Sequence, residues 1–367
     1  MSDIIAHPRV ALCTRWHAAT ESLAGAPAHV AAPALRHYRK NGGHELISLP
    51  CADVDARRRP AARRRSAGTT VVAGLGFHAA IRCESAELAR AVAVTFADLT
   101  ASTESERADA TTHSHDITVV AARGGCVAVW ADGVQVAARL RPGIALPTIS
   151  WLVNQGVIAH ASDLLLFHAA ALCSGDAGLL LPATSGSGKS TLAAALVASG
   201  LSYLSDEVGA LDLQSGRLVA YPKPISLDDA SFVALGTTPA PVERSAVVDD
   251  ATAHWTDLQW QVPATAVRGS SVASTCPTSF VVFPTRSAGR PAGLRPLGRA
   301  ALCARLVEHS MTVARRPREH FSACAALATR IRGFELDLDG LADACSQLSN
   351  LLGASSGPTT VPRVMTR

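Results

Sequence analysis

Four side chains able to carry charge or move protons stand close together in the chain: His168, Lys189 and the adjacent carboxylates Asp206 and Glu207. Between them runs Ala183-Thr184-Ser185-Gly186-Ser187-Gly188-Lys189-Ser190, the Walker A spacing with Ala183 in place of the first glycine. Such a run handles phosphate. Successive backbone N–H groups at a helix start form a nest for an anion, and glycines let the backbone come close. The spacing assigns Ser185, Gly186, Ser187, Gly188, Lys189, Ser190 and Thr191 to a nucleotide, with Lys189 between the β- and γ-phosphates and Ser190 on Mg²⁺. Asp206 and Glu207 end an apolar strand just after the helix. One can tend the metal while its neighbour takes a proton from an attacking hydroxyl. The alternative is a solvated turn. His168 lies on the apolar strand that leads into the loop strand; it is either a satisfied core histidine or a group facing the phosphates.

Lysine occurs only at 40, 189 and 223, whereas arginine is abundant. The chain uses arginine wherever a generic cation serves, so a compact ammonium inside a Gly/Ser loop is a choice of shape.

These residues need a strand to end, a loop to turn and a helix to begin. "GLLLPA" supplies the strand, and "TLAAALVAS" is a strong helix former, running from Lys189 to about Ser199 and ended by Gly200. "DLLLFHAAALC" reads as a buried strand, and "SYLSDEVGALDL", "RLVAYP", "SFVVFPT" and "GFELDLD" as further strands. "GRAALCARLVEHS" and "HFSACAALATRI" read as helices, and about 235–278 has little pattern. Upstream, "TTVVAGLGFHAAIRC" reads as extended and "SAELARAVAVTFADL" as an amphipathic helix. "DITVVAARGGCVAVWADGVQVAARL" gives three strands with turns at Gly124-Gly125 and Asp132-Gly133. Pro147 is placed in the first turn of a helix through "TISWLVNQGVIAH". The expected divisions are an unassigned segment 1–68 ending in an Arg-rich linker, a small α+β unit 69–160, an α/β phosphate-loop domain 161–352, and a flexible tail 353–367.

Composition narrows the class. Of 367 residues, 48% are hydrophobic and 17% charged, enough apolar material for a sizeable core. No apolar run is long enough to span a bilayer, and the start lacks a signal-peptide pattern, so the expected place is the cytoplasm without membrane attachment. Nine unpatterned cysteines suggest reduced thiols rather than a disulfide frame. "RRRPAARRR" (57–65) could contact nucleic acid. With no accompanying aromatic or RNA/DNA motif, it reads as a solvated linker, and nucleic acid is not the expected partner.

The stretch "HAAALCSGDAGLLLPATSGSGKSTLAAALVASGLSYLSDEV" resembles the catalytic core of the HPr kinase/phosphorylase superfamily, nearest to the HPr-kinase-related, lasso-peptide-kinase-like proteins. "YPKPISLDD", "VVFPTR" and "LRPLGRAALCARLVEHS" extend the resemblance over roughly 117–350. His168 precedes Lys189 by 21 positions, and the acidic pair follows it by 17 and 18, as in that family. The resemblance implies a P-loop kinase core of the HPr kinase/PEP carboxykinase type behind the smaller N-terminal unit, with ATP and Mg²⁺ as cofactors. It implies Glu207 as proton acceptor, His168 at the transferred phosphate, and Asp206 with Ser190 at the metal. The family carries Asp where this chain has Glu207, one methylene longer. Arg286 and Lys223 are further candidates for phosphate contact. The expected acceptor is a Ser/Thr hydroxyl of a peptide or protein, such as a modified-peptide precursor; HPr's own recognition signatures are absent. A small-molecule alcohol, a nucleotide-binding regulator and homo-oligomeric assembly stay open. An ABC-type ATPase does not fit, since no LSGGQ-like signature follows the loop.

Overall fold

The computed structural model describes residues 66–100, 114–161, 163–257, 259–286, 293–312, 314–338 and 340–353. The Arg-rich stretch 57–65, the rest of segment 1–65 and the expected tail from 354 onward lie outside the described residues. The described part is an α/β fold of mixed sheets and helices.

The first sheet has five strands in sequence order: β1 (Gly68–Gly74), β2 (Phe77–Cys83), β3 (Ser114–Ala121), β4 (Val127–Ala131) and β5 (Val134–Leu140). β1 and β2 form an antiparallel hairpin, so the stretch that reads as one extended segment is in fact two strands. Its turn, Leu75-Gly76, has φ of 52° and 82°. Leucine gives no sequence signal for such a turn, which usually draws Asn or Asp with Gly. The Asp132-Gly133 turn, with φ of 49° and 77°, does carry that signal. Helix α1 (Ala86–Thr95) is capped by Ser85, whose hydroxyl accepts from the Leu88 N–H at 3.2 Å. Helix α2 (Ala145–His160) holds Pro147 in its first turn and packs Leu146, Ile149, Val153 and Val157 into the core under this sheet.

The second sheet starts with the hairpin β6 (Leu164–Ser174) and β7 (Ala177–Pro182) about Gly175. After helix α3 (Lys189–Ala198) come β8 (Ser202–Ser205), β9 (Val208–Asp212) and β10 (Arg217–Val219). The run "SYLSDEVGALDL" is therefore two strands broken by a bend at Asp206-Glu207. Strands β11 (Ile225–Leu227) and β12 (Trp260–Val262) form a separate ribbon around helix α4 (Asp229–Leu235). Then follow β13 (Thr275–Arg286), β14 (Gly293–Leu297), helices α5 (Arg299–His309) and α6 (Pro317–Arg330), β15 (Arg332–Leu338) and helix α7 (Leu341–Gly353). The order is β10-β9-β6-β7-β13-β15-β14, with β8 also on β6. β7, β13 and β15 run parallel; β10 pairs with both β9 and β13, returning the sheet upon itself.

Side-chain alternation assigns the two faces. Leu165, Phe167, Ala169, Leu180, Val281 and Phe283 pack with Leu302 and Leu306 of α5 and Leu327 of α6. Ala170, Leu172, Leu179, Leu181, Phe280 and Val282 pack with Leu192 and Leu196 of α3 and Leu348 of α7. A sheet covered on both faces needs near-continuous apolar strands, which explains the unbroken "LLLFHAAAL" and "GLLLP". Leu166, Val208, Ala210 and Tyr221 join the core of the first sheet instead, so the two sheets share packed side chains through α2.

Candidate functional site

The glycine-rich loop leaves the end of β7 and enters α3. Ala183 N–H donates to the His168 carbonyl at 3.3 Å, which ties the loop root to β6. Gly186 and Gly188 have φ of 76° and 91°, a region that side chains enter only with strain, and Gly188 caps the helix. Lys189 is the first helical residue and is only 6% exposed. Its Nζ donates to the Ala183 carbonyl at 3.1 Å and meets His168 Nε2 at 3.1 Å.

Burial lowers the Lys189 ammonium, Lys223 lowers it further, and the carboxylates of Glu207 and Asp206 only partly oppose this; it is pushed down to about 8. Burial, Lys189 and His309 push the His168 imidazole down to about 3. His168 is thus neutral, and its Nε2 accepts from the lysine while the Nδ1 proton turns toward the Glu207 carbonyl.

The bend between β8 and β9 delivers the two carboxylates to the same place. Asp206 is 1% exposed, and its Oδ1 accepts from Lys223 Nζ at 2.9 Å and from the Tyr203 hydroxyl at 2.9 Å. Its Oδ2 is buried with no hydrogen-bond partner; the Ser190 hydroxyl lies nearby without making one of ordinary geometry. Burial alone would raise the Asp206 carboxyl, but the charge on Lys223 and the hydroxyls of Ser190 and Tyr203 hold it below the usual range. Burial likewise opposes the charge on Lys223, and Asp206 and Glu207 outweigh it and keep the ammonium protonated. Glu207 is more open. Its Oε2 accepts from Asn154 Nδ2 at 2.8 Å and stands 3.5 Å from Lys223 Nζ. Asn154, from α2, is fixed in turn by the Tyr221 hydroxyl, which donates to its Oδ1 at 2.6 Å.

A cleft of about 450 Å³ opens over this group. His168, Ser185, Gly186, Gly188, Lys189, Ser190, Thr191, Asp206 and Glu207 line it, so the sequence-derived residues converge, Ser187 excepted. The Ser187 hydroxyl is buried and has no hydrogen-bond partner. The facing wall comes from Ser226, α4 and Gln259. Thr191 hydroxyl donates to Ser231 Oγ at 2.9 Å, and Ser231 Oγ donates to Asp228 Oδ1 at 2.7 Å, which locks the wall to the loop helix. Arg286 closes β13, and its side chain lies outside the described residues. No arginine lines the cleft among the described residues.

Asn154 and Tyr221 have no sequence signal, since each acts on a partner distant in the chain, whereas Tyr203 stands three residues before Asp206 and reads only as an apolar strand residue. Lys223 had a signal, its scarcity. Among the described residues no group of three or more His, Cys, Asp or Glu is placed to hold a metal by itself. A cation here would need to share its shell with phosphate and water, and the unpartnered Asp206 Oδ2 beside Ser190 fits that arrangement. Among the described residues no helix is long and apolar enough to cross a membrane.

No protein-family description matches the chain, and no curated protein does. Among solved structures it is similar to the Hpr(Ser) kinase/phosphatase from Coxiella burnetii, at 12% identity over 52% of this chain and 90% of that one, with a TM-score of 0.28. A likeness of that size is too slight to carry a conclusion about this chain.

Proposed function

We propose that this chain is an ATP-dependent kinase, with a P-loop core of the HPr kinase type, that moves the γ-phosphate to a hydroxyl on a Ser or Thr of a peptide or protein. The observation that carries the reading is the meeting of Lys189, the buried Asp206 with its unpartnered Oδ2, and Glu207 in one cleft beneath a glycine-rich helix start. In this reading the loop N–H groups and Lys189 bind and neutralise the phosphates. Ser190 and Asp206 Oδ2 hold Mg²⁺, which when bound draws off charge developing on the phosphate oxygens. Neutral His168 steadies the lysine ammonium. Asn154 and Lys223 occupy Glu207 Oε2, leaving Oε1 for the acceptor's proton. Phosphoryl transfer asks mainly for positioning and charge neutralisation, which this set supplies.

A second reading, a nucleotide-binding regulator without transfer, draws support from the same engagement of Glu207, because a carboxylate whose Oε2 accepts from an amide and faces an ammonium is a weaker base. One assay separates the two. Wild type, Lys189→Ala and Glu207→Gln are given γ-labelled ATP, Mg²⁺ and Ser/Thr peptides, both degenerate libraries and peptides encoded beside the gene. Label on a peptide hydroxyl, reduced at least about 100-fold in both variants, supports the kinase and the base. Transfer that survives Glu207→Gln removes the base assignment. ATP binding abolished by Lys189→Ala, with no transfer to any acceptor, supports the regulator.

A further inference from the structure

Away from the cleft, two histidine rings meet where the first sheet touches the end of α2. His115 of β3 and His160 bring their Nε2 atoms to 3.1 Å, with ring centroids 4.6 Å apart at 65°. In each ring the other nitrogen faces an oxygen that can only accept. His115 Nδ1 donates to Asp132 Oδ2 at 2.7 Å, and His160 Nδ1 donates to the Gly156 carbonyl at 2.8 Å. A neutral imidazole has one N–H, so in both rings it sits on Nδ1. The two Nε2 lone pairs then converge on the space between the rings.

The rings are held in place from several sides. Phe77 stacks on His115 at 5.0 Å and lies tilted against His160 at 5.5 Å. A Cβ on Gly156 would come within 2.2 Å of the Phe77 ring, so α2 carries glycine where that ring passes. Asp132 sits in the β4–β5 turn at φ 49°, pinned by the Asp116 N–H to its Oδ1 at 2.9 Å and by its own N–H to the Asp116 carbonyl at 2.8 Å.

We propose that His115 and His160 are the protein ligands of a divalent transition-metal site, for an imidazole-preferring ion of the Zn²⁺ class, with water completing the shell. Two nitrogens at about 2.0–2.1 Å from a tetrahedral zinc stand about 3.4 Å apart, so the observed 3.1 Å needs to open by only a few tenths. Asp132 and the Gly156 carbonyl fill the outer positions that fix ring orientation and tautomer at such sites. The His115 side chain keeps 25% of its surface exposed, which gives an ion entry from solvent. The ion ties β3 to the C-terminal end of α2, the helix that carries Asn154 to the cleft.

The test is a Co²⁺ titration of the metal-stripped full chain, followed by visible absorption and by competition with Zn²⁺. The wild type takes up one Co²⁺ more than the His115→Gln/His160→Gln double variant, and Zn²⁺ displaces it. Asp132→Asn weakens that site about 10–100-fold. Imidazole ¹⁵N spectra of the unaltered chain keep the test independent of how the variants fold: an equivalent of Zn²⁺ shifts two Nε2 signals and leaves their Nδ1–H in place. Equal Co²⁺ uptake by wild type and double variant overturns the site. So does a ring pair that merely shares a proton and does not respond to millimolar Zn²⁺.

Discussion

At the scale of single residues, Lys223 and Asp206 depend on each other, each 1% exposed and paired at 2.9 Å. Lys223→Met leaves a buried carboxylate without its counter-charge and should lose about 3–5 kcal/mol in denaturant unfolding, with Lys223→Met/Asp206→Leu recovering most of it. No recovery in the double variant would mean that the lysine acts by packing alone. Lys189 makes a different prediction. Its folded value, about 8, lies below the ordinary 10.5, so the unfolded chain holds the proton more firmly and this group adds stability as pH rises from about 8 toward 10.5. An anion bound in the loop favours the charged lysine, so binding of ATP or pyrophosphate near pH 8 should take up a fraction of a proton that vanishes in Lys189→Ala. Calorimetry in buffers of different ionisation enthalpy reads it directly. The loop and the acidic pair were legible as residues because their chemistry is fixed by short spacing. Asn154 and Tyr221 were not, since an amide in an apolar helix and a tyrosine before a proline acquire meaning only once α2 lies beside the bend.

At the scale of elements, the parallel contact of β7 with β13 sets where the loop leaves the sheet. A Cβ at Gly178 would stand 2.3 Å from the Pro277 carbonyl oxygen, a backbone atom that cannot turn aside. Gly178→Ala should therefore cost about 1–3 kcal/mol, read from the thermal midpoint, and weaken nucleotide binding more than a distant substitution of equal cost. Gly186 is the contrast, because open space surrounds it and only its φ of 76° restricts the side chain. Long apolar elements announced themselves: β6, β7, α3 and α6 follow from pattern. The bend that splits β8 from β9 was legible in part: the polar run Ser205-Asp206-Glu207 ends the first apolar stretch, but the separate pairings of the two halves with β6 are set by the fold. Helix α7 carries the helical period in Leu341, Ala344, Leu348 and Leu352, although no element was expected there. β10 falls within the expected strand "RLVAYP", whereas β11 and β12, of three residues each, are too short for any period.

For the whole molecule, α2 joins the parts: its apolar side packs under the first sheet while Asn154 reaches the carboxylate at the cleft. Which sheet a strand joins is a property of distant partners, so this arrangement was legible only as a fold class. The return of the second sheet upon itself shows the same dependence. β10 has three residues, yet Leu218 is paired across to Leu211 on one side and to Cys276 on the other. A strand so short at an open edge would fray constantly, and its amide would trade hydrogen with solvent within minutes. With both flanks occupied and its side chain fully buried, it has no local way out. In deuterated buffer the Leu218 amide should rank among the slowest in the chain, exchanging only when the entire second sheet opens.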